Sequence, residues 1–237
     1  RETLDLPEGD PLHAYPRLLQ PHRFDSVSLD YLLDSRLREV FAKIVETEPM
    51  AVQTMVYFKP PGARGQAMHQ DNRYLDVKPG TCLAAWLALD DCDEENGAMK
   101  VVPGSHRLDL LCDDATPDFV ESWSTGTVAI PEGMAPEIVE MRAGDVLFFD
   151  GHLIHGSGKN RSSERFRRSL IAHYIEGDAV QVADYYHPVY RWDGSVVEDG
   201  LASGSFGGGP CGDVRRRPDG TYDYTLRGEL AAAKAAH

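Results

Sequence analysis

Within MHQDNRYL, Met68 to Leu75, a histidine and an aspartate stand one residue apart. An imidazole nitrogen and a carboxylate oxygen both ligate divalent first-row metals. Side chains at i and i+2 of an extended segment share a face. His69 and Asp71 can therefore converge on one point from a single strand end. A third ligand must come from elsewhere, and FFDGHLIHGSGKN offers two, His152 and His155. Two histidines and one carboxylate leave about three positions open on an octahedral ion, the arrangement that suits non-haem Fe(II) oxygenases. With nine histidines in the chain, about one His-x-Asp match arises by chance. Taken alone, the pair reads equally well as a hydrogen-bonded surface contact, and His155-Gly-Ser as a turn.

The residues after His155 add weight. NRSSERFRRSL places a basic cluster ahead of an apolar strand. A buried charge without a partner is costly, and a dicarboxylate cosubstrate would provide one. Arginine holds a carboxylate through two parallel hydrogen bonds that lysine cannot reproduce. Period-two alternation sends Arg167 and Arg168 to opposite faces, so at most one enters a barrel beside Ser169 and Ile171. Otherwise Arg165, Arg167 and Arg168 form a solvated basic face.

The elements that must position these groups are mostly strands. Leu29, Leu32, Leu33, Leu37, Val40, Phe41, Ile44 and Val45 recur at helical spacing and predict one helix over 28–46, capped by Asp30 or Ser28. AVQTMVYF (51–58) and LAAWLALDD (83–91) read as strands. Asn96-Gly97 predicts a hairpin into AMKVV. PEIVEM and DVLFFD flank a tight turn at Arg142-Ala143-Gly144, and RRSLIAHYIEG (167–177) is a long strand. Six or more strands behind one helix suggest a β-sandwich or jelly roll with helical decoration. The long irregular stretches 109–135 and 178–223 read as lids or binding loops. LASGSFGGG (201–209) reads as flexible, and the tail GELAAAKAAH as a short helix.

The chain has 237 residues, 42% of them hydrophobic, which fits one domain over 1–237 with a sizeable core. No apolar run approaches the length that crosses a bilayer. The sequence starts at Arg1 without a signal-peptide pattern, so it is expected to begin inside a longer gene product. A net charge of −14 weighs against nucleic acid and anionic membrane as partners. Cys82, Cys92, Cys112 and Cys211 show no CxxC spacing and read as reduced thiols in a cytoplasmic protein, Cys82 as a small apolar strand residue.

The ordered set HQDNRYL, AAWLALDDCDEENGAMKVVPGSH, HGSGKN and FRRSL resembles the phytanoyl-CoA dioxygenase family of Fe(II)/2-oxoglutarate oxygenases, over roughly residues 51–176. The resemblance implies a mainly β fold, a double-stranded β-helix (a cupin-like jelly roll) with flanking helices. It implies Fe(II), 2-oxoglutarate and O2, with His69, Asp71 and His155 as iron ligands. Arg167 matches the arginine that holds the distal carboxylate of 2-oxoglutarate, with Arg168 in reserve. Ser157, Trp86 and Met55 match residues lining the cosubstrate pocket, and Gln66 matches a glutamine that contacts the cosubstrate in some natural-product members. The family's pocket lysine has no identified counterpart, and part of the helix and strand that open typical members is expected to be missing. The implied activity is oxidation of a C–H bond in a small molecule, by hydroxylation or oxidative ring closure. Asp71 argues against halogenation, because a halide needs the position this carboxylate occupies.

The acidic chain has no basic cluster outside 161–168, which counts against a CoA thioester. A sugar-containing secondary metabolite fits better, as in members that tailor oligosaccharide antibiotics. The rival readings are a cupin-like metal enzyme without 2-oxoglutarate, an acyl-CoA hydroxylase, a zinc hydrolase and a non-catalytic module. His106 and His173 read first as structural histidines. Arg73 and Tyr74 are candidates for substrate contact. Trp123, Tyr185, Tyr186, Tyr190 and Trp192 read either as packing staples or as stacking surfaces for a ring.

Overall fold

The computed structural model describes residues 8–112, 115–124, 126–204, 212–216 and 222–226. In chain order the strands of its two main sheets are β1 (Leu18–Leu19), β2 (Met50–Tyr57), β3 (Cys82–Ala88), β4 (Met99–Val101), β5 (Glu137–Val139), β6 (Val146–Asp150), β7 (His155–Ser157) and β8 (Ser169–Ile175). One sheet has the order β1-β2-β8-β3-β6 and the other β5-β4-β7, with every pairing antiparallel. Two sheets packed face to face with flanking helices make the double-stranded β-helix that the sequence implied.

Register decides what faces the interior. Met55, Ile171 and Trp86 lie in one row across β2, β8 and β3, and Gln53, His173 and Ala84 in the next. Alternate side chains share a face. The Met55 row therefore looks toward the smaller sheet, and Trp86, Met99 and Ile171 share one buried cluster with Met55 and Val101 packed on it. The opposite face, with Leu83, Ala85, Ala172 and Tyr174, is covered by Leu32, Leu37 and Phe41.

Those last three residues belong to two helices, α1 (Ser26–Leu32) and α2 (Ser35–Phe41), where one was expected. The Asp25 side chain caps α1 by accepting from the Ser28 amide, and Asp34 caps α2 by accepting from Arg36. Neither Asp30 nor Ser28 is the cap. An extended aspartate at position 34 breaks the helix, yet both pieces bury their apolar side on the same sheet face, so the periodicity runs through the break.

The expected hairpin at Asn96-Gly97 is a crossing between sheets, and so is the tight turn at Arg142-Ala143-Gly144. The Asn96-Gly97 turn carries the chain from β3 to β4, and the 142–145 turn carries it from β5 to β6. Asn96 is fully buried. Its side chain accepts from the Asp93 amide and donates to the carbonyls of Asp91 and Phe166, which pins the turn beside β8. Gly97 has φ +78, and a Cβ there would stand 2.5 Å from the Gly158 carbonyl oxygen; the turn accepts only glycine.

The stretch 178–204 is more regular than expected. It contains β9 (Gln181–Ala183), paired in parallel with β10 (Ala202–Gly204), and buries Val182, Tyr186 and Val189. Strands β11 (Gly212–Arg216) and β12 (Tyr222–Leu226) pair antiparallel. Residues 205–209 of the expected flexible segment, and the tail expected as a helix, lie outside the described residues. Cys82 and Cys92 are free and buried, but Cys112 is disulfide-bonded, against the expectation of four reduced thiols. Among the described residues no helix is long and apolar enough to cross a membrane.

Candidate metal and cosubstrate site

A single antiparallel bridge sets the two histidines opposite each other. The His69 amide donates to the His155 carbonyl at 2.8 Å, and the His155 amide returns the bond at 3.0 Å. The ring centroids are 4.2 Å apart. Asp71 then arrives by a different route from the one expected. It is already helical (φ −65, ψ −35) and opens the short helix α3 (Asn72–Leu75). A turn of helix, rather than the pleat of a strand, swings its carboxylate back toward His69. The ligand atoms of His69, Asp71 and His155 all lie within 4.8 Å of one another, and all three residues are buried.

Backbone carbonyls hold the Nδ1 atom of each histidine in the triad. His69 Nδ1 donates to the Ala67 carbonyl and His155 Nδ1 to the Leu153 carbonyl, each at 2.9 Å. Those bonds turn both Nε2 atoms toward Asp71, at 3.4 and 3.6 Å from its oxygens. Burial pushes the His155 pKa down to about 4, so at neutral pH its lone pair is available. Burial would raise the Asp71 carboxyl, but the charge interaction with His155 and the hydrogen bonds from His173 and His69 outweigh it and hold it well below the usual range. A buried set of two imidazoles and one carboxylate matches the 2-His-1-carboxylate Fe(II) site.

His152 stays out of the triad; its carbonyl accepts from Gln70 Nε2 at 2.7 Å. His106 is exposed and lies beside Phe149 and Leu153, outside the triad. His173, which read as a core histidine, is buried but contacts the site, with Nε2 3.0 Å from Asp71 Oδ2.

Two cations are buried in the same barrel. Arg167 donates from Nε to the Gly97 carbonyl at 3.3 Å and from Nη1 to Ser169 Oγ at 3.1 Å, with its guanidinium 5.3 Å from the Trp86 ring centroid. Lys59 Nζ donates to the same Gly97 carbonyl at 2.9 Å and to Ser157 Oγ at 3.0 Å. Each residue is 3% exposed. Among the described residues no carboxylate pairs with either, and burial pushes both pKa values down. Arg168 faces the other way and grips Asp90 with two hydrogen bonds.

Lys59 is the residue that sequence reasoning missed. The signal was present: positions 55, 57 and 59 alternate inward from β2, and Lys59 falls immediately before Pro60-Pro61.

Gln66 links the two clusters. Its Nε2 lies 3.0 Å from His69 Nε2, its Oε1 accepts from Tyr57 Oη at 3.2 Å, and its amide donates to Ser157 Oγ at 3.1 Å. Met55 and Trp86 form an apolar wall on the Ile171 row. Trp123 holds the Arg17 guanidinium 4.0 Å from its ring centroid, and Arg17 donates to Tyr57 Oη. Tyr74 is exposed with its ring 6.1 Å from that of His69, and Arg73 is buried. The later aromatics pack: Trp192 stacks on Tyr174 at 5.0 Å, Tyr190 bridges to Ala51, and Tyr185 meets Tyr186 edge-on.

The sequence pattern of the family described as Phytanoyl-CoA dioxygenase (PhyH) matches residues 10–169. The match takes in α1, α2 and β1. A phytanoyl-CoA dioxygenase of Arabidopsis thaliana is 29% identical over 167 residues, 68% of this chain and 57% of that protein. The peroxisomal phytanoyl-CoA dioxygenase of Rattus norvegicus is 31% identical over 146 residues, 56% of this chain and 41% of that protein. The chain thus spans about half the length of these relatives. The cow, human and mouse relatives are likewise named peroxisomal, which overturns the cytoplasmic expectation. Among solved structures, the epimerase SnoN in complex with Fe3+, alpha ketoglutarate and nogalamycin RO aligns with a TM-score of 0.58 and 25% identity, over 69% of this chain and 64% of that one.

Proposed function

Since the chain belongs to the phytanoyl-CoA dioxygenase family, we propose that it is an Fe(II)- and 2-oxoglutarate-dependent dioxygenase that oxidises a C–H bond of a small molecule. One observation carries the reading. A buried His69-Asp71-His155 triad shares a barrel with two buried cations, Arg167 and Lys59, that no carboxylate among the described residues neutralises. An isolated buried charge is unstable, and a dicarboxylate spanning metal and cations supplies both missing partners. A cupin-like enzyme without 2-oxoglutarate leaves these two cations without a role.

When bound, Fe(II) with 2-oxoglutarate and O2 supplies the oxidising power, with succinate and CO2 as by-products. The residues of the chain hold and orient. His69, Asp71 and His155 take one face of the metal. Arg167 and Lys59 meet the distal carboxylate of the cosubstrate, Ser157 orients the lysine, and Gln66 stands between the metal end and the cation end. Met55 and Trp86 keep water from the wall. Asp71, as a ligand, fills the position a halide would need. The whole chain is read as one oxygenase domain.

A secondary metabolite, glycosylated in the finest form of the reading, is the proposed substrate. The nogalamycin complex of SnoN supports a natural product, and a net charge of −14 disfavours polyphosphate carriers such as CoA. The purified apo-protein is titrated anaerobically with Fe(II) and 2-oxoglutarate, and the weak visible charge-transfer band is followed. A band, with succinate formed once O2 is admitted, supports the reading. Iron binding without a band would leave a metal enzyme that does not use 2-oxoglutarate. Arg168→Ala should leave the band and the cosubstrate affinity within about twofold, since it breaks an exposed ion pair worth about 0–1 kcal/mol; a large loss would move the anchor to Arg168.

A further inference from the structure

We propose that His173 is a positioning residue that holds the Asp71 carboxylate as a one-oxygen metal ligand and so sets the metal affinity of the site. The inference rests on the metal reading of the triad given above. A carboxylate on a single Cβ–Cγ bond rotates freely unless something outside the metal fixes it, and a rotated carboxylate offers either one oxygen or two. His173 Nε2 lies 3.0 Å from Asp71 Oδ2 and donates to it. Among the described residues it is the one hydrogen-bond donor to that carboxylate from outside the triad. With Oδ2 engaged by His173 as well as facing His155 Nε2 at 3.6 Å, Oδ1, 3.4 Å from His69 Nε2, would be the oxygen left to hold a metal, and the positions a two-oxygen grip would take would stay open for other ligands.

The placement of His173 supports this role. It sits mid-strand in β8, flanked by Gln53 of β2 and Ala84 of β3, so its backbone is held on both sides. It is 2% exposed. Its other ring nitrogen, Nδ1, is buried with no hydrogen-bond partner. An apolar ring would fill the space without that penalty. Among the described residues the only polar contact the imidazole makes is the one to Asp71, so packing alone does not account for it.

The test compares wild type with His173→Phe, which keeps an aromatic ring and removes the donor, and His173→Gln, which returns an N–H at a similar reach. Fe(II) and Co(II) affinities are measured anaerobically by competition with a chelator. The Co(II) ligand-field spectrum is recorded as a reading of coordination, and thermal melts check folding. His173→Phe is expected to bind metal about 10–100-fold more weakly, with a changed Co(II) spectrum, and His173→Gln to recover most of both. Should the phenylalanine chain not fold, His173→Leu takes its place in the same comparison. Unchanged affinity and spectrum in a folded donorless variant would overturn the proposal while leaving the metal reading intact. Failure of the wild type to bind either ion would overturn the metal reading, and this proposal with it. Iron binding without the 2-oxoglutarate band would sink only the cosubstrate assignment, and the His173 comparison would still decide.

Discussion

An Arg167→Ala chain is expected to bind Fe(II) as the wild type does and 2-oxoglutarate about 30–4,000-fold more weakly. Truncating one member of a buried, hydrogen-bonded charge pair costs about 2–5 kcal/mol, and each 1.4 kcal/mol is a factor of about ten. Titration of the anaerobic charge-transfer band measures the cosubstrate affinity, and chelator competition measures the iron. Arg167→Lys should recover little, because a point ammonium cannot reproduce the planar fork, and Lys59 already fills the neighbouring space, donating to the same Gly97 carbonyl. Without cosubstrate, Arg167→Ala should not lower the melting temperature by the amount a lost core residue would. It removes a buried cation that forms no ion pair with a carboxylate among the described residues. An unchanged 2-oxoglutarate affinity would remove this arginine from the site.

Asp71→Ala should abolish turnover and weaken Fe(II) binding by more than about 100-fold, beyond the range seen for residues that only support a ligand. The variant should also change the response to acid. The Asp71 carboxyl in the folded protein is held well below its ordinary value of 3.8. A depressed carboxylate contributes stability that is present above the unfolded pKa and is lost as pH falls through the folded one. The metal-free wild type should therefore lose stability as pH drops below about 4, and Asp71→Ala should lose less over the same window. Parallel acid melts of the two chains check the sign. An alanine chain that still binds iron tightly would place the third ligand elsewhere.

Much of the site was legible because its residues sit in short, ordered motifs. His69 and Asp71 converge as their spacing suggested, although Asp71 does so through a helical turn, and of the two histidines left open His155, the one the resemblance implied, joins them. Backbone conformation at one residue is not written in a His-x-Asp pair. Alternation separated Arg167 from Arg168 in principle; which one faces inward was settled by Asp90, a partner 78 residues away in sequence. Lys59 went unnoticed because prolines follow it and mark a loop, while its side chain continues the inward face of β2. The hairpin expected at Asn96-Gly97 was misread for a physical reason. A glycine turn between apolar runs reports that the chain reverses, but not whether the next strand joins the same sheet or crosses to the other. The break between α1 and α2 was hidden for a related reason, since both helices lean on one sheet face and keep one hydrophobic period.

Lys59 and Arg167 leave the ends of the larger sheet, while Ser157 and His155 belong to the smaller one. A ligand touching all of them fastens one layer to the other and has no comparable grip on an opened chain. Such a ligand raises the unfolding free energy by RT ln(1 + [L]/Kd), about 2.7 kcal/mol at a hundred times Kd. Proteases that cut opened chains sample that open population. Under the proposed function, the lifetime of this protein in a cell is expected to track the local supply of iron and 2-oxoglutarate, and its abundance to record whether the proposed reaction can run.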